Sequence, residues 1–243
     1  MNTTATIPSA AVNAGIPLTA WLGYSIEFSS FVDFAGNDSA PNTFSDNLLN
    51  NIGNLTGTKP YIRVGGNTQD FALFNETLEV AQVGIVDPDY SNDYPRFLTI
   101  GPSFYQSFNP WPGAKYIYGF NLAENGTTGQ QNLISTAQYA CQALSDGNLA
   151  YLELGNEPDL YKRTSATGAR RPPTWNETDY VAQWQSGITI ILDTIAQYCP
   201  SLSNTTFYAP SFAGTNNDLS PLKTWQSGLA LSLIHISEPT RPY

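Results

Sequence analysis

Ala150-Tyr-Leu-Glu-Leu-Gly-Asn-Glu-Pro-Asp159 is the stretch whose residue types and spacing are best suited to chemistry. An apolar, strand-like run reaches Gly155, and Asn156 and Glu157 stand where it stops, before a proline. A carboxylic acid of raised pKa can hand a proton to a poor leaving oxygen, a glycosidic one for instance, near neutral pH. An amide beside it can bond a sugar hydroxyl as charge develops on the neighbouring carbon. The residue before a proline is biased away from helical torsions. Glu157 is therefore expected in extended geometry, its carboxyl standing off the strand end. An isolated Asn-Glu-Pro reads more readily as a helix cap beside a solvated carboxylate. Its position at a strand end, with companion strands, favours the proton donor.

Those companions are five strand-like runs, at 23–31, 59–64, 115–121, 150–156 and 206–211. Between them, residues 128–144 have helical spacing at Leu133, Ile134, Ala137, Ala140, Cys141 and Leu144, and Thr128 with Gln131 resembles a capping box. Over 178–198, Trp184, Ile188, Ile191 and Ile195 step by helical intervals before Pro200. Strands alternating with helices imply parallel βαβ units, in a barrel or an open sheet. No dinucleotide or P-loop glycine pattern follows any strand, which disfavours the nucleotide-binding sheet. In a barrel the strand C-termini converge on the active face. The connection 67–94 is too long for an ordinary loop and is expected to form a wall there.

Further candidates follow from this placement. Glu27 shares the polar face of the first strand with Ser25 and Ser29 and can bond sugar hydroxyls; a buried structural carboxylate is the alternative. Asn67 and Asp70, just past Gly65-Gly66, are placed to line the pocket, although loop capping suits Asp70 equally well. Asn121 ends the third strand and is an expected substrate contact. Arg63, inside the second strand, needs a partner, and Glu153 is the nearest in role; the pair reads as scaffold beneath the site. Tyr105 or Trp111 can stack on a sugar, but aromatics beside Pro110 and Pro112 more often pack.

Composition removes other classes. The net charge is −10, with 10 basic against 20 acidic residues and no basic patch, which argues against nucleic acid as a partner. No apolar run reaches membrane-spanning length. Cys141 and Cys199 have no neighbouring Cys or His, so no metal site is expected; a disulfide and two separate buried thiols both fit. Hydrolysis would need no cofactor. Seven Asn-x-Ser/Thr sequons, at Asn2, Asn37, Asn54, Asn75, Asn125, Asn176 and Asn204, favour a secreted, extracellular glycoprotein. No signal peptide is present, so the leader is expected upstream of a truncated start. Residues 232–243 resemble translated sequencing-adapter read-through, in which case the single histidine, His235, is not native.

Three segments carry a more specific resemblance: Leu154-Gly-Asn-Glu-Pro-Asp159, Pro60-Tyr-Ile-Arg-Val-Gly-Gly-Asn-Thr-Gln-Asp70 and Tyr118-Gly-Phe-Asn121. Together and in this order they are similar to glycoside hydrolase family 79, which contains fungal and bacterial β-glucuronidases and animal heparanase. Ser25-Ile-Glu-Phe-Ser-Ser-Phe31 and Asn42-Thr-Phe-Ser-Asp-Asn-Leu-Leu-Asn50 resemble the fungal members. The resemblance implies a (β/α)8 TIM barrel plus a β-sandwich, and hydrolysis with retention through a covalent glycosyl-enzyme. It implies Glu157 as acid/base at the end of strand four and Asn156 for the 2-hydroxyl. Residues 17–231 would then be the N-terminal part of the barrel, strands one to about five. Residues 1–16 would be an extended segment pairing with a missing β-sandwich. The nucleophile, a Glu on strand seven, is expected beyond the C-terminus, so the chain by itself is expected to be inactive. The expected substrates are glucuronides of plant or proteoglycan glycans. The alternatives are a non-catalytic carbohydrate-binding or structural glycoprotein, and a different retaining glycosidase that shares the Asn-Glu-Pro arrangement.

Overall fold

The computed structural model describes residues 22–89, 91–163 and 169–229. The expected segment 1–16, the sequon at Asn2 and the tail 232–243 with His235 lie outside them.

Among the described residues, eight strands form two sheets. The larger comprises β1 (Gly23–Glu27), β2 (Tyr61–Gly65), β6 (Lys115–Phe120), β7 (Leu149–Leu154) and β8 (Phe207–Tyr208). Every adjacent pair in it is parallel. Its strands lie side by side in chain order, without the reversal that marks a doubly wound sheet. This is a mixed α/β structure whose parallel sheet winds in one direction, as in a barrel.

The expected strands sit where the runs predicted, with three corrections to their ends. β1 stops at Glu27, and Phe28–Ser30 form a 3-10 turn leading into α1 (Phe31–Ala35). Phe28 and Phe31 are both buried, and a helical turn brings residues three apart to one face, which continued alternation could not. β8 ends at Tyr208 instead of reaching Ser211, because Pro210 has no N–H to extend the ladder. β7 closes at Leu154, two residues before the expected end.

The helices cover the sheet. α2 (Thr43–Thr56), α3 (Gly126–Ala143) and α4 (Glu177–Tyr198) follow β1, β6 and β7. In α4 the four predicted apolar positions, Trp184, Ile188, Ile191 and Ile195, are all buried. The start of α4 is a capping box: Asn176 accepts from Thr178 and Asp179 N–H groups while Asp179 bonds back to the Asn176 N–H. The capping box expected at Thr128 is absent; α3 begins two residues earlier, after Asn125, so Thr128 is already inside the helix. Ile134, assigned to its apolar face, is 45% exposed. α3 packs on α4, and a disulfide joins Cys141 to Cys199 with the Cα atoms 6.0 Å apart. The helix α2 was missed because its sequence is rich in Asn and buries only Leu49.

The long connection after β2 carries regular elements among its described residues. It forms a 3-10 helix (Asn67–Phe71) and then β3 (Ala72–Phe74), β4 (Gln82–Ile85) and β5 (Phe97–Ile100), a small sheet in the order β3-β5-β4. A second 3-10 helix, Pro102–Phe108, carries Phe104 and Phe108 into an aromatic core with Phe28, Phe31, Tyr116 and Tyr118. Tyr105 and Trp111 are buried there too, Tyr105 with its hydroxyl 2.9 Å from that of Tyr118. They are packing residues, not sugar platforms. Beside this core, β1 and α2 flank an apolar cavity of about 850 Å3 lined by Tyr24, Ile26, Phe34, Leu48, Ile62 and Trp111.

Candidate active site

At the C-terminal end of β7 the chain turns sharply through Gly155, Asn156 and Glu157. Gly155 has φ 85°, and a Cβ there would lie 2.9 Å from Cβ of Leu122 and from the Tyr161 hydroxyl. Only glycine fits that position. Glu157 has φ 49° and ψ 49°, which corrects the extended geometry expected from Pro158. Proline disfavours the right-handed helical region for its predecessor, and the turn takes the left-handed one instead. For a non-glycine residue that conformation costs about 1–2 kcal/mol and persists only where the surroundings enforce it.

Three consecutive backbone N–H groups supply the enforcement. Gly155 donates to the Phe120 carbonyl on β6 at 2.9 Å. Asn156 donates to Asp70 Oδ2 at 2.9 Å, and Glu157 donates to the Ser211 carbonyl beyond β8 at 2.9 Å. The carboxylate of Glu157 accepts no hydrogen bond from the described residues. Partial burial, then the nearby charge of Asp159, with a smaller contribution from Glu27, push its pKa up, and Arg63 opposes them. That is the direction a proton donor requires.

Arg63, on β2, reaches across β6 to organise the strand ends. Its Nε donates to Glu153 Oε2 at 2.7 Å, its Nη1 to Ser25 Oγ at 3.0 Å and its Nη2 to Asn156 Oδ1 at 2.8 Å. Glu153, buried, also accepts from Ser211 Oγ at 2.7 Å. The Asn156 amide is oriented from both ends, because its Nδ2 donates to Asn67 Oδ1 at 3.1 Å. Glu27 lies over Gly66, where a Cβ would come within 2.5 Å of its carboxylate. Glu27 Oε1 accepts both the N–H and the hydroxyl of Thr68 at 2.6 Å. Ser29 is not beside Glu27 on a strand face; it sits in the 3-10 turn and donates its N–H to Thr68 Oγ1.

Two expected pocket residues lie beneath this layer with their polar atoms engaged. Asn121 donates from Nδ2 to the Ala72 carbonyl at 3.0 Å and accepts the Glu124 N–H at 2.9 Å, so it ties the β6 end to the small sheet. Asp70, 4% exposed, accepts from the N–H groups of Leu122 and Ala123 on Oδ1. Its Oδ2 accepts from the Asn156 N–H and from the Tyr161 hydroxyl, the latter at 2.6 Å. Burial outweighs these bonds and raises its pKa to about 6. Glu157, Asn156, Asn67 and Glu27 are thus gathered around Arg63 and Thr68, while Asp70 and Asn121 support them.

Sequence reasoning missed Thr68, Tyr161, Ser211 and Asp159. Asp159 is fully buried and accepts from the N–H groups of Ala213 and Gly214 and from Asn217 Nδ2 at 2.7 Å, which fixes the loop after β8. Its position two residues after Glu157 was a signal; the roles of Tyr161 and Ser211 depend on approaches that no local pattern records.

One-way parallel winding, with carboxylates and amides collected at the strand C-termini, defines the class: an α/β protein with a polar candidate site at the ends of its parallel strands. No protein-family model matches the chain. It is 52% identical over 215 residues to a β-glucuronidase of Neurospora crassa, covering 86% of this chain and 38% of that protein. A β-glucuronidase of Aspergillus niger is 48% identical over 228 residues, covering 91% of this chain and 42% of its own length. The crystal structure of a 4-O-α-L-rhamnosyl-β-D-glucuronidase from Fusarium oxysporum 12S, in complex with Rha-GlcA, matches with TM-score 0.63 and 25% identity, over 88% of this chain and 42% of the other. The chain is a homologue of fungal β-glucuronidases, which bears out the resemblance to glycoside hydrolase family 79, and it spans about two fifths of their length.

Proposed function

We propose that the protein to which this chain contributes is a retaining β-glucuronidase in which Glu157 is the acid/base. The observation that carries the proposal is a carboxyl at a parallel-strand terminus with a raised pKa, no hydrogen bond from the described residues, and a doubly anchored amide beside it. Asn156, Asn67 and Glu27 would bond the sugar hydroxyls; the names of the relatives support β-glucuronides as substrates, and the glucuronides of plant or proteoglycan glycans are the sources expected from the family resemblance. The architecture would be a (β/α)8 barrel. The nucleophile, a second carboxylate about 5 Å from Glu157 in a retaining enzyme, would come from elsewhere in the whole protein. The 243-residue chain by itself is expected to show no turnover. A secretory route is supported by the disulfide and by exposed sequon residues at Asn54, Asn75, Asn125, Asn176 and Asn204.

The test uses the whole protein and its Glu157→Gln variant. A β-glucuronide with an alkyl leaving group should lose about 10²-fold or more in kcat/KM, a dinitrophenyl β-glucuronide far less, because only the former needs a proton. In the wild type, kcat/KM for the alkyl substrate should fall as pH rises through the Glu157 pKa, above the ordinary glutamate range, and the variant should lack that limb. Equal losses on both substrates would remove Glu157 from the acid role. A preference for β-glucosides or β-galactosides over β-glucuronides would redirect the assignment to another glycosidase, and no turnover of any would favour a binding protein.

A further inference from the structure

The backbone around Glu157 is anchored at three successive N–H groups, and two of the acceptors, Phe120 and Ser211, are backbone carbonyls that exist wherever those strands run. The third is a side chain. Asp70 takes the Asn156 N–H, directly before Glu157, and the Tyr161 hydroxyl, four residues after it, on a single oxygen. Its other oxygen takes the N–H groups of Leu122 and Ala123, just past the end of β6. One carboxylate therefore bridges the ends of two neighbouring strands and brackets the left-handed residue between them.

Neither oxygen of Asp70 is left for a ligand, and the side chain is shut off from the pocket. The four groups that converge on it are all donors, which only an acceptor on both sides can satisfy. An asparagine of the same shape would turn an NH2 toward one pair of them, and the N–H groups of Leu122, Ala123 and Asn156 cannot accept. Tyr161 is locked in turn by its ring against Trp175, with centroids 6.0 Å apart. Arg171 lies over both rings and donates to the Leu122 and Ala123 carbonyls. The clamp therefore rests on rigid packing.

We propose that Asp70 is a positioning residue: by bracketing Glu157 from Asn156 and Tyr161 it aims the Glu157 carboxyl at the leaving oxygen, without itself touching substrate. The inference rests on the reading of Glu157 as proton donor. Loss of the anchor at Asn156 lets the turn relax out of the left-handed region, and the carboxyl then shifts by a distance that matters for proton transfer.

The experiment compares Asp70→Asn, Tyr161→Phe and Glu157→Gln in the whole protein, with the alkyl and dinitrophenyl β-glucuronides as substrates and circular dichroism as the check on folding. Asp70→Asn should lower kcat/KM on the alkyl substrate about 10²-fold, the scale of a misplacement near 1 Å, with a loss under about 10-fold on the dinitrophenyl one. Tyr161→Phe removes one hydroxyl and keeps the Asn156 anchor, so it should show the same bias at about 3- to 10-fold. If Asp70→Asn folds and the two substrates lose equally, or lose nothing, the positioning role is overturned and Asp70 is a stability residue. Should Asp70→Asn not fold, an unbiased Tyr161→Phe is the overturning result. A Glu157→Gln variant without leaving-group bias instead defeats the underlying reading of Glu157, which separates the two failures.

Discussion

Asp70 offers a test of the site's electrostatics that needs no substrate. Its carboxyl is raised from 3.8 to about 6 because burial disfavours the charged form more than the Tyr161, Asn156, Leu122 and Ala123 donors favour it. A folded pKa above the unfolded one means that the folded state binds the proton more tightly. The contribution of Asp70 to stability is then fully present below pH 3.8 and is lost as pH rises through about 6. A shift of this size amounts to about 3 kcal/mol between the two limits. Asp70→Asn carries no titrating group, so subtraction of its unfolding free energy from that of the wild type cancels the other carboxylates. Urea unfolding of both proteins from pH 4 to 8 should show the wild type losing about 2.5 kcal/mol relative to the variant across that window, the remainder of the effect lying below pH 4. A difference that stays flat, or that grows in the wild type's favour with pH, would show that the donors win over burial and that the reasoning about this carboxylate is wrong.

Two further substitutions probe the layer above. Arg63→Met leaves Glu153 buried with Ser211 Oγ as its remaining partner and should destabilise the protein by about 3 kcal/mol, with Glu153→Gln in the same chain restoring part of the loss; a double-mutant cycle without coupling would deny the pair its structural role. Gly155→Ala forces a Cβ to 2.9 Å from both the Leu122 side chain and the Tyr161 hydroxyl at φ 85°, and should cost at least about 2 kcal/mol in thermal or urea unfolding; a neutral outcome would mean the turn can shift freely.

Much of this was legible in sequence, for identifiable reasons. Alternation and turn residues marked the five parallel strands, and the intervals among Trp184, Ile188, Ile191 and Ile195 marked the buried face of α4. Pairing of Arg63 with Glu153 could be anticipated because a charge inside a strand must find an opposite one. The ends of elements were less legible. Alternation at 23–31 continued through Phe28 and Phe31, whose burial together required a helical turn. The small sheet within the β2–β6 connection is built from three short strands, none longer than four residues, and one of them pairs antiparallel, so no period long enough to detect was present. Asp70 and Asn121 were rightly placed near strand ends, but residue type alone cannot tell a polar side chain that faces a cavity from one that faces backbone donors.

Glu157 shows why the site's key geometry escaped local rules. Proline at 158 disfavours the helical region and the Cβ disfavours the left-handed one, so local preferences favour an extended residue. The structure places it in the left-handed region because hydrogen bonds from Gly155, Asn156 and Glu157 to three separate segments leave the chain no other path. Strain held by distant partners is stored where the partners converge, and here that point carries the carboxyl that no donor of the described residues satisfies. A carboxyl bonded to protein donors would be drawn toward its charged form and lose the proton that a general acid has to deliver. The same anchors that impose an unfavourable backbone on Glu157 therefore leave its side chain without a hydrogen bond from the described residues, the condition under which burial and the neighbouring Asp159 can raise its pKa.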